Sequence, residues 1–229
     1  MIGVIGDIHG CYYTFLKLID LINEKYRNID LFCVGDLVDR GNFSHLVVQY
    51  FSEHDIRSVL GNHDCLFYYS FFYPNHPYRL VWAANGNQKT LSAYAGSQEL
   101  LVQHADFLKN LPLFYNVENC FISHAGISVL LSYNLKDYRN WNLNQWNSFL
   151  FNYLESEIGI LWNRTSLVQM EELQVVGHTR HMEVTYTGNS NTVYIDTAAC
   201  AGNKLSSVII EKGRIIDQVS VLTLPEDIF

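Results

Sequence analysis

The chain has 229 residues, of which 48% are hydrophobic and 14% are aromatic, so it can bury a large core. We predict a single domain over residues 1–229. The formal net charge of -8 disfavours a broad electrostatic attraction to nucleic acid or to an anionic membrane. An anionic ligand must therefore be attracted locally, by metal ions and a few arginines.

The chain contains five cysteines, an odd number, and no C-x-x-C pair. This usage predicts reduced thiols in a cytoplasmic protein instead of a disulfide framework. The apolar run at residues 1–5 leads directly to Asp7, so we expect no signal peptide. No apolar stretch approaches the roughly 18 residues of a membrane span. We expect a protein without a membrane partner.

Short apolar runs alternate with amphipathic stretches in the first third of the chain, which is the pattern of an α/β fold. Apolar periodicity predicts strands over residues 2–5, 31–34 and 57–60, and helices over 12–25 and 45–53. Each predicted strand ends at a glycine-containing polar segment. Ligands of open α/β sheets gather beyond the carboxyl ends of strands, so these segments are candidate site residues.

The middle of the chain is less regular. Residues 66–78 are dense in Phe and Tyr and contain Pro74 and Pro77, which predicts a helix start that breaks into an irregular excursion over the site. Aromatic packing is favoured over a substrate-stacking platform for this stretch. The pattern further predicts a helix over residues 98–110 and a hairpin of 113–117 with 120–123, turning at Glu118-Asn119.

The C-terminal part carries short β-rich runs separated by glycines. These runs cover residues 193–195, 207–210 and 214–221. They predict a second, largely antiparallel sheet.

Polar segments that contain metal-ligand side chains recur in a fixed order along the chain. They supply three imidazoles, two carboxylates and one amide, from Asp7, His9, Asp36, Asn62, His124 and His178. On an extended segment Asp7 and His9 would point to the same side. Taken alone, these two residues would fit a helix N-cap and a loop histidine better than a metal site, and the similar strand-end residues that follow favour the metal site. Mixed nitrogen and oxygen ligands without thiolate suit Mn(II), Fe or Zn.

Six ligands are too many for one ion that must keep a position open for water. Two ions that share a carboxylate satisfy the count. The segments are Gly6-Asp7-Ile8-His9-Gly10, Gly35-Asp36-Leu37-Val38-Asp39-Arg40-Gly41, Gly61-Asn62-His63-Asp64, Ser123-His124-Ala125-Gly126 and Gly177-His178-Thr179.

Together these segments resemble the metallophosphoesterase superfamily, and within it the phosphoprotein phosphatase family. The resemblance covers nearly the whole chain. It implies an α/β (α+β) fold with two mixed β-sheets packed as a central sandwich flanked by helices in four layers. It also implies two divalent metal ions, with Mn²⁺ expected first and Fe or Zn as alternatives.

The resemblance assigns a role to each ligand. Asp36 bridges the two ions, Asp7 and His9 complete the first site, and Asn62, His124 and His178 complete the second. Two ions about 3.5–4 Å apart lower the pKa of a shared water, and the resulting hydroxide attacks phosphorus directly.

Four further residues are implied for catalysis and phosphate binding. His63 is the acid that protonates the leaving group, and Asp39 orients this imidazole and favours its protonated form. Arg40 is a bidentate phosphate clamp. Arg164, in Leu161-Trp162-Asn163-Arg164, is a second clamp, although an arginine in such a position is often a surface residue. Asp196 is expected only to support the ligand shell.

The resemblance leaves the substrate open. We expect first a Ser/Thr-type protein phosphatase that acts on a phosphoprotein or a small phosphorylated substrate, because Val38-Asp39-Arg40-Gly41 and Trp162-Asn163-Arg164 resemble that branch. The alternative is a bis(5'-nucleosyl)-tetraphosphatase, because Asp64 stands where protein phosphatases usually have Glu and His124-Ala125-Gly126-Ile127 resembles the tetraphosphatases. A phosphodiesterase, or a binding module without catalysis, is a weaker alternative. The oligomeric state is not predicted.

Overall fold

Ten strands form two five-stranded sheets at the centre of the computed structural model, which describes residues 1–229. The strands are β1 (Ile2–Ile5), β2 (Asp30–Cys33), β3 (Ile56–Ser58), β4 (Phe114–Val117), β5 (Cys120–Ser123), β6 (Leu173–Val176), β7 (Thr185–Thr187), β8 (Thr192–Tyr194), β9 (Lys204–Glu211) and β10 (Arg214–Leu222). The first sheet has the order β10-β9-β1-β2-β3, and the second has β4-β5-β6-β8-β7. Both sheets mix parallel and antiparallel pairs, as the predicted fold requires.

The two sheets pack face to face because alternate residues of their strands are apolar. In β1, Ile2 and Val4 lie between the sheets, whereas Ile5 faces the helices. The layer between the sheets is a cluster of 13 buried residues: Ile2, Val4, Phe32, Val34, Val59, Cys120, Ile122, Leu173, Val175, Val193, Ile195, Val208 and Ile210. This dry layer fixes the position of one sheet relative to the other.

Seven helices cover the outer faces of the sheets. They are α1 (Tyr12–Lys25), α2 (Ser44–Glu53), α3 (Asn62–Phe72), α4 (Tyr78–Ala84), α5 (Gln88–Ala93), α6 (Gln98–Lys109) and α7 (Leu143–Phe151). Helix α1 has the predicted bounds and buries Phe15, Leu18, Ile19 and Ile22 at helical spacing. The hairpin of β4 and β5 is also confirmed, and both turn residues have positive φ, 52° at Glu118 and 59° at Asn119.

The aromatic stretch is more helical than the predicted excursion. Helix α3 continues to Phe72 and α4 begins at Tyr78, so that Pro74 and Pro77 fall in the short break where neither interrupts a helix. The ring of Phe67 lies 5.6 Å from Trp82, measured between ring centroids, and similarly close to Phe71 and Tyr94. The aromatic side chains therefore pack against one another, in agreement with the packing interpretation.

The prediction of a separate antiparallel C-terminal sheet is wrong for its last two runs. Strand β9 pairs antiparallel with β1 in the first sheet, and β10 pairs with β9 at the edge. The reason is that β9 is apolar on both faces. Its Val208 and Ile210 lie between the sheets, whereas Leu205 and Ile209 face the helices. Only a place beside the buried strand β1 covers both faces.

The candidate segments all follow the carboxyl ends of parallel strands. Strands β1, β2 and β3 run parallel in the first sheet, and β5, β6 and β8 run parallel in the second. The packing of the two sheets brings both sets of ends to one edge of the sandwich. None of the helices has the length and apolar character needed to cross a membrane.

Candidate metal centre and phosphate site

All six predicted ligand residues are buried, with between 0% and 6% of their surface exposed, and they meet at this edge of the sandwich. Two glycines permit the approach. A Cβ atom at Gly177 would lie 1.9 Å from Oδ1 of Asp7, and one at Gly61 would lie 2.3 Å from Oδ1 of Asp36. Any side chain at these two positions would displace a candidate ligand, which explains why glycine stands beside them.

The carboxylate of Asp36 lies at the centre of the site. Side-chain atoms of His9, Asp36 and His63 lie within 4.8 Å of one another, and so do those of Asp7, Asp36 and His124. Asp36 is common to both groups, as a bridging ligand would be. The grouping differs from the family pattern in one respect, because Asp7 lies with His124 and His63 lies beside His9.

The backbone at His9 also differs from the prediction. His9 has φ 47°, so the Asp7-His9 segment is not extended. The left-handed conformation instead turns the ring so that Nε2 lies 3.2 Å from Oδ2 of Asp36. Its Nδ1 donates to the carbonyl of Val38 at 2.8 Å, so Nε2 carries the lone pair that could bind a metal ion. Asp36 and His178 have positive φ as well, 54° and 62°. Such strain gathers at functional sites.

The second group converges on Asn62. Its Oδ1 lies 2.8 Å from Nε2 of His124 and 3.0 Å from Nδ1 of His178. Nε2 of His124 also lies 3.5 Å from Oδ1 of Asp36, and its Nδ1 donates to the carbonyl of Val34 at 2.8 Å. An ion with bonds of about 2.1 Å places adjacent ligand atoms about 3.0–3.4 Å apart. The observed spacings of 2.8, 3.0 and 3.5 Å lie within about 0.2 Å of this range, so these four side chains could converge on one divalent ion.

The protonation states suit metal binding. Burial is the largest influence on the three imidazoles, and it lowers the pKa of His9, His124 and His178. Burial acts to raise the pKa of Asp36, but the neighbouring His124, His63, His9 and Arg40 outweigh it and hold that pKa below its ordinary value. Neutral imidazoles and an ionised carboxylate are the forms that bind a metal ion.

Asp64 joins two of the ligand segments. Its Oδ2 accepts hydrogen bonds from the backbone N–H groups of Asp36 (2.8 Å) and Gly61 (3.0 Å), and its Oδ1 accepts from Leu37 (2.9 Å) and Val38 (3.3 Å). Burial and the charge of Asp36 raise the pKa of Asp64, and the N–H donors act against this rise. Because both oxygens face N–H donors, neither has room for a proton, and we treat the group as a carboxylate.

The predicted acid and its partner are in contact. Nδ1 of His63 donates to Oδ2 of Asp39 at 2.6 Å, and both side chains are buried. Two residues that the sequence did not indicate hold Asp39. Nε1 of Trp82 donates to both carboxylate oxygens, at 3.0 and 2.9 Å, and the hydroxyl of Thr90 donates to Oδ1 at 2.8 Å. Helices α4 and α5, which follow the aromatic stretch, therefore contribute to the site by positioning Asp39.

Arg40 lies between two imidazoles. Its guanidinium donates to Nε2 of His63 at 2.7 Å and also to Nε2 of His9. A metal ion at His9 would replace the second contact. His63 can donate a proton from Nε2 only after Arg40 turns away from it. A phosphate group that draws the guanidinium to its oxygens would free both nitrogens.

A cavity of about 810 Å³ opens over these groups. Arg164 lines it and donates to the backbone carbonyl of His178 at 3.4 Å, so this arginine reaches the site from the segment after Trp162. Arg180 also lines the cavity, although the sequence analysis assigned it no role. Its signal was its position two residues after His178. The lining residues are Asp36, Arg40, Asn62, His63, Asn85, Gly86, Trp162, Arg164, His178, Thr179 and Arg180.

Asp196 follows β8 and lies beside the ligands. Its Oδ1 accepts from the backbone N–H of Ala198 at 3.0 Å, and its buried Oδ2 has no hydrogen-bond partner. The charge of Asp196 contributes to a raised pKa of Asp7, after burial. Buried carboxylates at this density require cations nearby, which arginine and divalent metal ions supply.

The comparisons with known proteins agree with this geometry. The chain is 28% identical, over 129 residues, to the symmetrical bis(5'-nucleosyl)-tetraphosphatase of Haemophilus ducreyi. The matched part is 55% of this chain and 44% of that protein, so the chain spans about half the length of the curated relative.

Two solved structures show the same fold. A candidate diadenosine tetraphosphatase has a TM-score of 0.63 at 21% identity, covering 98% of this chain and 94% of that one. The cold-active protein-tyrosine phosphatase of a psychrophilic Shewanella also has a TM-score of 0.63, at 16% identity, covering 97% of this chain and 80% of that one. The fold therefore does not discriminate between these two kinds of substrate. The calcineurin-like phosphoesterase model matches residues 1–209, and the chain belongs to this family of metal-dependent phosphoester hydrolases.

Proposed function

We propose that the chain hydrolyses dinucleoside polyphosphates such as diadenosine tetraphosphate. The sequence similarity to a symmetrical bis(5'-nucleosyl)-tetraphosphatase over 129 residues carries this proposal. It reverses the order of the two expectations from the sequence, in which a Ser/Thr protein phosphatase came first. The Asp64 carboxylate, which stands where protein phosphatases usually have Glu, supports the same choice.

We propose two metal sites built from the predicted ligands. Asp7, His9 and Asp36 hold the first ion, and Asp36 with Asn62, His124 and His178 holds the second. Mn²⁺ is the ion that we would supply first, and Fe or Zn would fit the same donor set. When bound, the ions activate water and neutralise charge on the phosphoryl oxygens. Support comes from the central place of Asp36 and from the 2.8 and 3.0 Å spacings around Asn62.

The remaining residues act on the substrate. Arg40 and Arg164 bind oxygens of the reacting phosphoryl group, which draws Arg40 away from His63. His63, held by Asp39, then donates a proton from Nε2 to the departing oxygen. Water adds to phosphorus as the anhydride bond breaks. Symmetrical cleavage of diadenosine tetraphosphate consumes one water and yields two molecules of ADP.

A protein phosphatase is the second candidate, and the contact of Asp39 with His63 at 2.6 Å favours it. A serine or threonine alkoxide is a far more basic leaving group than the phosphate of ADP, so it depends more on a positioned acid. The acid machinery of this site is thus stronger than an anhydride substrate requires.

Parallel assays on the Mn-loaded protein distinguish the two candidates. Diadenosine tetraphosphate and a phosphoserine/phosphothreonine peptide are each supplied, with EDTA as the metal-free control and chromatography of nucleotide products. We expect ADP from the tetraphosphate to dominate and EDTA to abolish it. Dominant phosphate release from the peptide would overturn the proposal.

We also propose that residues 1–229 act as one catalytic domain in the cytoplasm. Both sheets supply ligands, so neither forms the site alone. The five cysteines form no disulfide, which suits a reducing compartment.

A further inference from the structure

Arg180 is the guanidinium of the cavity that no part of the proposed reaction uses. It lies two residues beyond His178, and its side chain is exposed to the cavity. The close arginine ion pairs of the structure are those of Arg57 and Arg139, and Arg180 interacts with the Asp196 carboxylate only at longer range. A cation in this position is available to an anionic ligand.

The thiol of Cys200 lies beside Arg180. Nη2 of Arg180 donates to Sγ of Cys200 at 3.3 Å. Burial raises the pKa of this thiol, and the charges of Arg180 and Arg40 both act to lower it. Arg40 and Arg180 line the same cavity. Arg164 reaches the same part of the cavity through the carbonyl of His178.

Three arginines around one cavity exceed the needs of a single phosphoryl group. The chain has a formal net charge of -8 and only 15 basic residues, yet Arg40, Arg164 and Arg180 line the same cavity. Two bidentate guanidinium groups already direct four N–H donors at the three non-bridging oxygens of one phosphoryl group. A third guanidinium suits an anion that continues beyond the reacting phosphorus.

We propose that Arg180 forms a second-phosphate subsite, which binds the phosphate next to the reacting one in a linear oligophosphate chain. This subsite deepens the proposed function and rests on it for the identity of the reacting group. Arg40 and Arg164 hold the phosphoryl group that is attacked. Arg180 holds its neighbour, and its contact with the Cys200 thiol positions this guanidinium in the cavity.

The test isolates the second phosphate by comparing ligands with the same base. AMP and ADP are used as inhibitors of p-nitrophenyl phosphate hydrolysis by the Mn-loaded protein, and the ratio of their inhibition constants is measured. We expect ADP to bind at least tenfold more tightly than AMP in the wild type. Arg180→Gln reduces this preference to about twofold or less. Arg180→Lys, which keeps the charge but loses the planar fork, falls between the two.

Arg79→Gln is the matched control, because Arg79 is an exposed arginine on α4 that does not line the cavity. Its ADP preference should equal that of the wild type. A preference for ADP that persists in Arg180→Gln, or its absence in the wild type, would overturn the subsite. The assay is independent of diadenosine tetraphosphate turnover. If the protein does not hydrolyse diadenosine tetraphosphate but its preference for ADP depends on Arg180, the proposed substrate is rejected and the subsite is retained.

Discussion

Replacement of Asp64 by Asn tests whether one carboxylate holds two ligand segments together. The carboxylate accepts from four backbone N–H groups, two at each oxygen, and these belong to the segments of Asp36 and Gly61. An amide presents only one oxygen. Its NH₂ group would face the other pair of N–H donors, which would be left without an acceptor.

The expected loss follows from this count. A buried donor without an acceptor costs about 1–3 kcal/mol, so two of them cost about 2–6 kcal/mol, and we expect about 4 kcal/mol. A domain of this size unfolds in urea with an m-value of about 3 kcal/mol/M, so the midpoint should fall by about 1.3 M. Typical domains are stable by 5–15 kcal/mol, so the variant should still fold at 25 °C.

Urea denaturation followed by tryptophan fluorescence measures this shift. The experiment is run in EDTA, so that a change in metal affinity does not enter the result. Asp20→Asn is the control, because Asp20 is an exposed carboxylate on α1. Its midpoint should stay within about 0.2 M of the wild type, as surface changes usually do.

A midpoint for Asp64→Asn within about 0.3 M of the wild type would refute the reasoning. It would mean that Asp64 is protonated in the folded protein, where an amide replaces a carboxylic acid at little cost. A full shift would establish the carboxylate as the link between the Asp36 and Gly61 segments. Metal content of the same variant, measured after reconstitution, should then fall as well.

Four further outcomes are expected. Asp36→Asn removes the shared ligand, so turnover should fall by at least 10³-fold, and substantial phosphatase activity would contradict the two-ion assignment. The His63→Asn variant should keep its metal content in elemental analysis. Its rate of hydrolysis should fall most for aryl phosphates with basic leaving groups, and an equal loss of rate for all leaving groups would reject the role of His63 as the acid. Arg164→Ala should lower kcat/KM about 10–100-fold, whereas unchanged kinetics would make Arg164 a surface residue. Burial lowers the pKa of His104 to about 4, so the unfolded chain binds more protons between pH 6.5 and 4. Over that pH range, the free energy of unfolding measured in urea should fall by up to about 3 kcal/mol more for the wild type than for His104→Gln. Parallel plots of unfolding free energy against pH would contradict this.

The sequence predicted strands and helices correctly where only one face of the element is apolar. Helix α1 has its predicted bounds because Phe15, Leu18, Ile19 and Ile22 recur at helical spacing. Strand β9 was assigned to the wrong sheet for the opposite reason. It is apolar on both faces. This composition predicts that the strand is buried, but it does not specify which strand lies beside it.

The sequence by itself determined the chemistry of the site. Glycine, carboxylate, amide and imidazole follow the ends of apolar strands, and each segment is short enough to be recognised locally. Strand direction then implies that these ends meet, so the sequence could predict that Asp36 lies near Asn62, His124 and His178, although not their distances.

Only the tertiary structure decided which distant residues serve that chemistry. Trp82 and Thr90 hold Asp39 from 43 and 51 residues away, and Arg180 lines the same cavity as Arg40. No periodicity marks such contacts, because they depend on how short helices and loops pack onto the sheets. A tryptophan in an apolar helix or an arginine after a histidine looks the same in the sequence whether or not packing brings it to the site.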